Sequence, residues 1–161
     1  MNNGRPVSED RLAVDVSLLL LRIIVGVIFA AHGAQKLFGV FEGPGLAKTV
    51  EMMGGGPLGY LVTIGEFFGG VGLIVGFLTR FSAASLIVIM LGAIVMVHGQ
   101  HGFFLGSGPE SMLGEAGFEY NVALIGLLLP ILIAGPGRFA IGRYLPLPKS
   151  RRTGRPIVIL E

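Results

Sequence analysis

Four stretches of this chain are apolar enough to cross a lipid bilayer as helices, and their lengths are close to what a crossing requires. They cover about residues 17–38, 58–78, 81–98 and 120–138. A helix needs ~20 residues to span the hydrocarbon core. The mean hydropathy is +0.78 and only 14% of the residues are charged, far from the balance of a soluble domain. The sequence therefore predicts an all-α integral membrane protein, built as a four-helix transmembrane bundle.

The remaining residues divide the chain and orient it. We predict a polar N-terminal segment over 1–16, a membrane domain over 17–143 and a basic tail over 144–161. With four crossings, one side of the bilayer carries only Lys36 and Lys48. The other side carries Arg5, Arg11, Arg80, Arg138, Arg143, Lys149, Arg151, Arg152 and Arg155. Because Lys and Arg concentrate on the cytoplasmic side, we expect both termini to be cytoplasmic.

Ionisable residues inside the apolar stretches are the strongest pointers to a site. At ~1.5 Å of rise per residue, His32 lies roughly 9 Å and Glu66 roughly 12 Å below the outer ends of their helices. Charged groups are costly in hydrocarbon and usually face a protein interior or a wet cavity. His32 and Glu66 are thus candidate catalytic residues. We predict an outer-leaflet ligand pocket lined by His32, Lys36, Glu66, His98, Glu119 and Tyr120.

Other polar and small residues have simpler interpretations beside the functional one. Arg22 is either part of a polar site or an anchor whose side chain extends to the cytoplasmic headgroups. Lys36 is also interpreted as an interfacial anchor. Glycines at helical spacing predict close contacts between helices. These glycines are Gly26 and Gly33 in the first helix and Gly65, Gly69, Gly72 and Gly76 in the second.

Composition excludes several chemistries. The chain has no Cys, which removes disulfides, thiol catalysis and Cys-ligated clusters, so no intrinsic cofactor is predicted. His98 and His101 have a spacing that binds metals, but two residues are half a site, and no metal site is predicted. The glycine-rich stretches lie in helices or turns and follow no strand, so neither a phosphate loop nor nucleic-acid binding is expected.

Several short motifs follow one another along the membrane part of the chain. They are Arg22 with Gly26, His32-Gly33-x-x-Lys36-Leu37, Gly65-Glu66-x-x-Gly69-Gly70, Gly76-x-x-Thr79-Arg80, His98 with Gly102-Phe103-Phe104, Glu119-Tyr120 and Gly135-Pro136-Gly137-Arg138. In their order and spacing these motifs resemble those of the DoxX family of small four-helix membrane proteins. Gly142 stands near the position where the family often has an Asp after the Gly-Pro-Gly turn. The resemblance implies a multi-pass protein of the prokaryotic inner membrane, associated with redox chemistry.

The leading functional hypothesis is a membrane subunit or accessory of a respiratory or redox system that binds a quinone-type ligand. Such a protein would be part of a quinone-linked oxidoreductase rather than an enzyme on its own, with the bilayer and other membrane or redox subunits as partners. Three alternatives stay open. They are a structural subunit of a larger membrane complex, a haem b protein with His32 and His98 as ligands, and transport of a small solute past Glu66.

Overall fold

The computed structural model describes residues 7–105 and 117–143, so the predicted tail over 144–161 lies outside the described residues. Within that part the secondary structure is helical. The helices are α1 (Val7–Phe38), α2 (Gly45–Met52), α3 (Pro57–Val75), α4 (Thr79–Ala93) and α5 (Glu119–Ala134). A π-helical turn (Ile94–His98) and a 3-10 turn (Gly99–His101) continue α4, and a second 3-10 turn (Ile141–Arg143) follows α5.

Four of these helices form the predicted all-α membrane bundle, which is confirmed. α1, α3 and the continuous helical stretch from Thr79 to His101 are long and apolar enough to span a membrane, and α5 is a shorter apolar helix. Each packs against its neighbours in the order α1, α3, α4, α5, and α5 returns to α1. The short helix α2 lies across α1 and α3 at one end of the bundle, here called the α2 end.

Three helix boundaries differ from the predicted ones. α1 begins at Val7 rather than near residue 17, because the acidic residues Glu9 and Asp10 suit the first turn of a helix and extend it beyond the apolar stretch. α3 stops at Val75, where Gly76 takes a left-handed conformation with φ 77°. α5 stops at Ala134 rather than at 138, because Gly135 has φ 87° and a proline follows it.

The core is a cluster of apolar side chains from all four long helices. Its most buried members are Val25, Phe29, Leu73, Ala83, Leu86, Leu128 and Ile131. Glycines bring the backbones together around it. Gly65, Gly69 and Gly72 face α4, where an added Cβ would meet Ile89, Leu86 and Ser82 respectively. Gly76 instead meets Ala140, in the segment after α5.

Candidate functional site

A buried ion pair joins α1 to α3 at the α2 end of the bundle. The Lys36 ammonium nitrogen lies 2.6 Å from Oε1 and 2.5 Å from Oε2 of Glu66. The Glu66 side chain is 4% exposed and that of Lys36 is 27% exposed. Lys36 is near the end of α1, and Glu66 is near the middle of α3. The carboxylate that the sequence places deep in the membrane therefore has a cationic partner, as buried charges require.

The close approach of α1 and α3 is what allows the pair to form. A Cβ at Gly33 would overlap the backbone of Phe67, the residue directly after Glu66. A Cβ at Gly70 would overlap the backbone nitrogen of Ala30. Small residues let two membrane helices approach until their backbones touch. Because Lys36 is one turn beyond Gly33, this contact sets the register that brings Lys36 beside Glu66.

Two buried threonines lie close to the residues of the ion pair in the fold or in the sequence. Thr49 of α2 donates its hydroxyl proton to the carbonyl of Gly45 at 2.8 Å, with the backbone carbonyl of Lys36 as a longer second acceptor at 3.4 Å. Thr63 of α3 is fully buried, and its hydroxyl has no hydrogen-bond partner among the described residues. Phe38 and Phe67 are close in sequence to Lys36 and Glu66 respectively, and their rings pack edge-on with the centroids 5.2 Å apart.

The other residues predicted to line this pocket are exposed or only partly buried. His32 is exposed, although it precedes the tightly packed Gly33, because consecutive residues on a helix point about 100° apart. The structure therefore leaves His32 at the surface of the bundle, whereas Glu66 is buried. Tyr120 is also exposed, at 40%. His98 is half-buried at the end of the π-helical turn.

Glu119 belongs to a second polar group, at the start of α5. Its Oε1 accepts a hydrogen bond from the backbone N–H of Leu105 at 3.1 Å. The backbone N–H groups of Phe118 and Glu119 donate to the carbonyls of Gly102 and Phe103. These bonds hold together the two ends of the segment that connects α4 to α5. The structure therefore brings Lys36 and Glu66 together, and it places Glu119 in a loop contact of its own.

Arg22 is a buried structural residue, and its interpretation as an anchor reaching the headgroups is wrong. Its side chain is 0% exposed and donates to three backbone carbonyls, those of Leu73, Pro136 and Phe139. Leu73 is on α3, whereas the other two carbonyls follow α5. Arg22 thus ties α1 to both partners at the end of the bundle opposite α2. A guanidinium with five donors suits several carbonyls in different directions.

Asn121 and Thr63 are buried polar residues that were not among the predicted site residues. Asn121 is 5% exposed, and its side-chain nitrogen lies 3.5 Å from the sulfur of Met90. An asparagine inside an apolar helix was the available signal for it. Among residues 7–105 and 117–143, no three His, Asp or Glu side chains group in a way that could hold a metal ion.

The sequence of the chain matches a known protein family. The DoxX family profile matches residues 17–99, which include α3, Lys36 and Glu66. The chain belongs to the DoxX family. It is 32% identical over 134 residues to "Uncharacterized membrane protein Rv3486" of Mycobacterium tuberculosis, covering 80% of this chain and 81% of the relative. It is 31% identical over 132 residues to "Inner membrane protein YqjF" of Escherichia coli, covering 81% and 93%.

A third DoxX relative carries a name that refers to activity. "Putative oxidoreductase CatD" of Bacillus subtilis is 31% identical over 121 residues, covering 73% of this chain and 79% of the relative. No solved structure matches the chain. Together with the apolar helices, the inner-membrane relatives identify this DoxX protein as a prokaryotic inner-membrane protein. The region matched by the profile contains both members of the ion pair.

Proposed function

We propose that this DoxX protein is a membrane component of a redox system and binds a quinone-type ligand beside the Lys36–Glu66 pair. The observation that carries the proposal is the pair itself, which keeps an ammonium and a carboxylate between two membrane helices. Buried ionisable residues in membrane segments commonly mark ligand or proton pathways. The oxidoreductase name of one relative fits the same class of function.

The chemistry of the pair suits a carbonyl ligand in an apolar environment. A quinone has two carbonyl acceptors on a flat ring, so it needs nearby hydrogen-bond donors and apolar or aromatic walls. Lys36 has three N–H donors, of which its contacts with Glu66 use at most two. Phe67, the residue after Glu66 on α3, supplies an aromatic side chain in the same part of the bundle. Lys36 is the more exposed partner, so a ligand would reach the site from the side on which Lys36 lies.

The experiment locates the ligand with a fluorescent reporter. Because the chain has no Trp, Phe38→Trp creates a single emitter near the ion pair, and Phe139→Trp creates one at the opposite end of the bundle. Each full-length protein is placed in lipid nanodiscs and titrated with menadione, a membrane-soluble naphthoquinone. We expect saturable quenching of the Trp at 38 and only linear, collisional quenching of the Trp at 139.

Charge variants then connect binding to the pair. In the Phe38→Trp background, Lys36→Met and Glu66→Gln should each weaken menadione binding about tenfold or more, as expected for a lost hydrogen bond to a charged group. Lys48→Met and Glu51→Gln are matched controls, since both residues are exposed on α2. Equal, non-saturable quenching at both Trp positions would overturn the proposal.

The structural alternative also has an observation in its favour. Lys36 and Glu66 satisfy each other, and Arg22 similarly ties three segments together. A subunit that only packs against larger membrane partners needs no more than such helix-to-helix contacts. It would not require a ligand at the pair, so it predicts no saturable quenching in the titration above.

A further inference from the structure

Thr63 has a buried hydroxyl that nothing in the described part of the chain satisfies. The residue is 0% exposed, and its Oγ1 makes no hydrogen bond with any described residue. Helical threonines usually satisfy this group through the carbonyl one turn earlier. A buried polar group left without a partner is unfavourable, and such groups in native structures call for an explanation such as a bound ligand or water.

The position of Thr63 links it to the ion pair. Gly59, Thr63, Glu66 and Gly70 are spaced by four, three and four residues and therefore share one face of α3. At one end of this face, a Cβ on Gly59 would come within 2.8 Å of the Cα of Val50, on α2. At the other end, Gly70 contacts the backbone of α1. Thr63 thus lies on the same face of α3 as Glu66 and about one helical turn before it, between the part of that face that meets α2 and the part that meets α1.

The charge of this region restricts what can occupy it. Lys36 and Glu66 neutralise each other. The remaining charged side chains described on α2 and on the segment before it are exposed to the surroundings; they are Glu42, Lys48 and Glu51. The buried site therefore offers hydrogen-bond donors without an excess of either charge. Such a site favours a neutral acceptor over an anion, which would bring an uncompensated charge into a poorly solvated region.

From these observations we infer that Thr63 donates the second hydrogen bond to the ligand of the Lys36–Glu66 site and selects a neutral carbonyl compound. The inference rests on the proposed function, because it assigns a role within the same site. The ammonium of Lys36 and the hydroxyl of Thr63 each donate to a carbonyl oxygen, whereas Glu66 holds Lys36 in place. Thr63 is thus a specificity-determining residue, and the site excludes inorganic anions.

The test compares two buried threonines that both lack a partner. Thr79, at the start of α4, also has a buried hydroxyl with no hydrogen bond among the described residues, and it is the matched control. Thr63→Val, Thr63→Ser and Thr79→Val are made in the Phe38→Trp protein and titrated with menadione in nanodiscs. Valine keeps the shape of threonine and removes the hydroxyl, and serine keeps the hydroxyl.

We expect Thr63→Val to weaken menadione binding about tenfold and Thr63→Ser to stay within about twofold of the parent, the difference expected for one hydrogen bond. Thr79→Val should bind as the parent does, and sodium sulfate should not compete with menadione. Thermal melting of each variant verifies that it is folded. Parent-like binding by folded Thr63→Val, or competition by sulfate, overturns this inference while the proposed function stands. Absence of saturable binding in the parent protein overturns both.

Discussion

Among single residues, Arg22 and Lys36 of α1 have different kinds of hydrogen-bond partner. Arg22 donates only to backbone carbonyls, whereas Lys36 donates to a carboxylate. A guanidinium that holds carbonyls from two separate segments acts as a structural tie. An ammonium that faces a carboxylate and remains partly exposed is available to a ligand as well. Arg22 and Lys36 therefore have different roles, and separate substitutions distinguish them.

Arg22→Met should destabilise the bundle strongly without acting on the ligand site directly. The change leaves the carbonyls of Leu73, Pro136 and Phe139 without their donor in an apolar surrounding, at a cost of about 3 kcal/mol or more. Thermal melting in a single detergent measures the effect. Arg11→Met, on the exposed part of the same helix, is the control and should melt as the wild type does. Equal melting temperatures for both variants would contradict the structural role of Arg22.

The residues of the pair show how far the sequence could predict the site. The depth of Glu66 correctly indicated that the carboxylate needs a partner. The identity of that partner was not predictable from helical periodicity, because it depends on how Gly33 and Phe67 fix the register between α1 and α3. The same register leaves His32 exposed. One helix's periodicity defines its faces, but it does not say which neighbour each face meets.

At the scale of elements, the contact between α1 and α3 governs the site. Both helices use glycines where their backbones touch, so side-chain size at these positions sets the distance between Lys36 and Glu66. The apolar stretches themselves were predictable from composition. The ends of the helices were harder to predict from composition. Gly76 and Gly135 end helices through left-handed or unusual backbone conformations, although the residues around them are still apolar or small.

Gly33→Ala should separate α1 from α3 and destabilise the protein by about 2 kcal/mol, the usual cost of overpacking. The added Cβ overlaps the backbone of Phe67, which cannot move aside as a flexible side chain would. Gly92→Ala and Gly126→Ala are matched helical controls, because a Cβ at either position meets nothing within 4 Å. They should be neutral or slightly stabilising. Thermal melting measures the effect of each substitution. A Gly33→Ala protein with the same melting temperature as the controls would contradict the close contact between α1 and α3.

At the scale of the whole molecule, the bundle has different polar groups at its two ends. The α2 end holds the Lys36–Glu66 pair, Thr63 and the exposed Lys48. The opposite end holds Arg22, the hydrogen bond from Arg80 to the carbonyl of Ile133, and the bond from the Arg138 N–H to Asp15. The predicted orientation would place the α2 end outside the cytoplasm. The end opposite α2 is thus held together by hydrogen bonds between segments, whereas the α2 end has a partly exposed ion pair.

A Lys36→Met/Glu66→Leu double variant in the Phe38→Trp background tests whether the ion pair is needed for menadione binding. Replacing a buried ion pair with apolar residues of similar volume is often neutral or stabilising, so the double variant should melt at or above the temperature of its parent. We expect this folded protein to have lost saturable quenching by menadione. If it binds menadione as tightly as the parent, the pair only locks the helices together and the proposed ligand site is wrong.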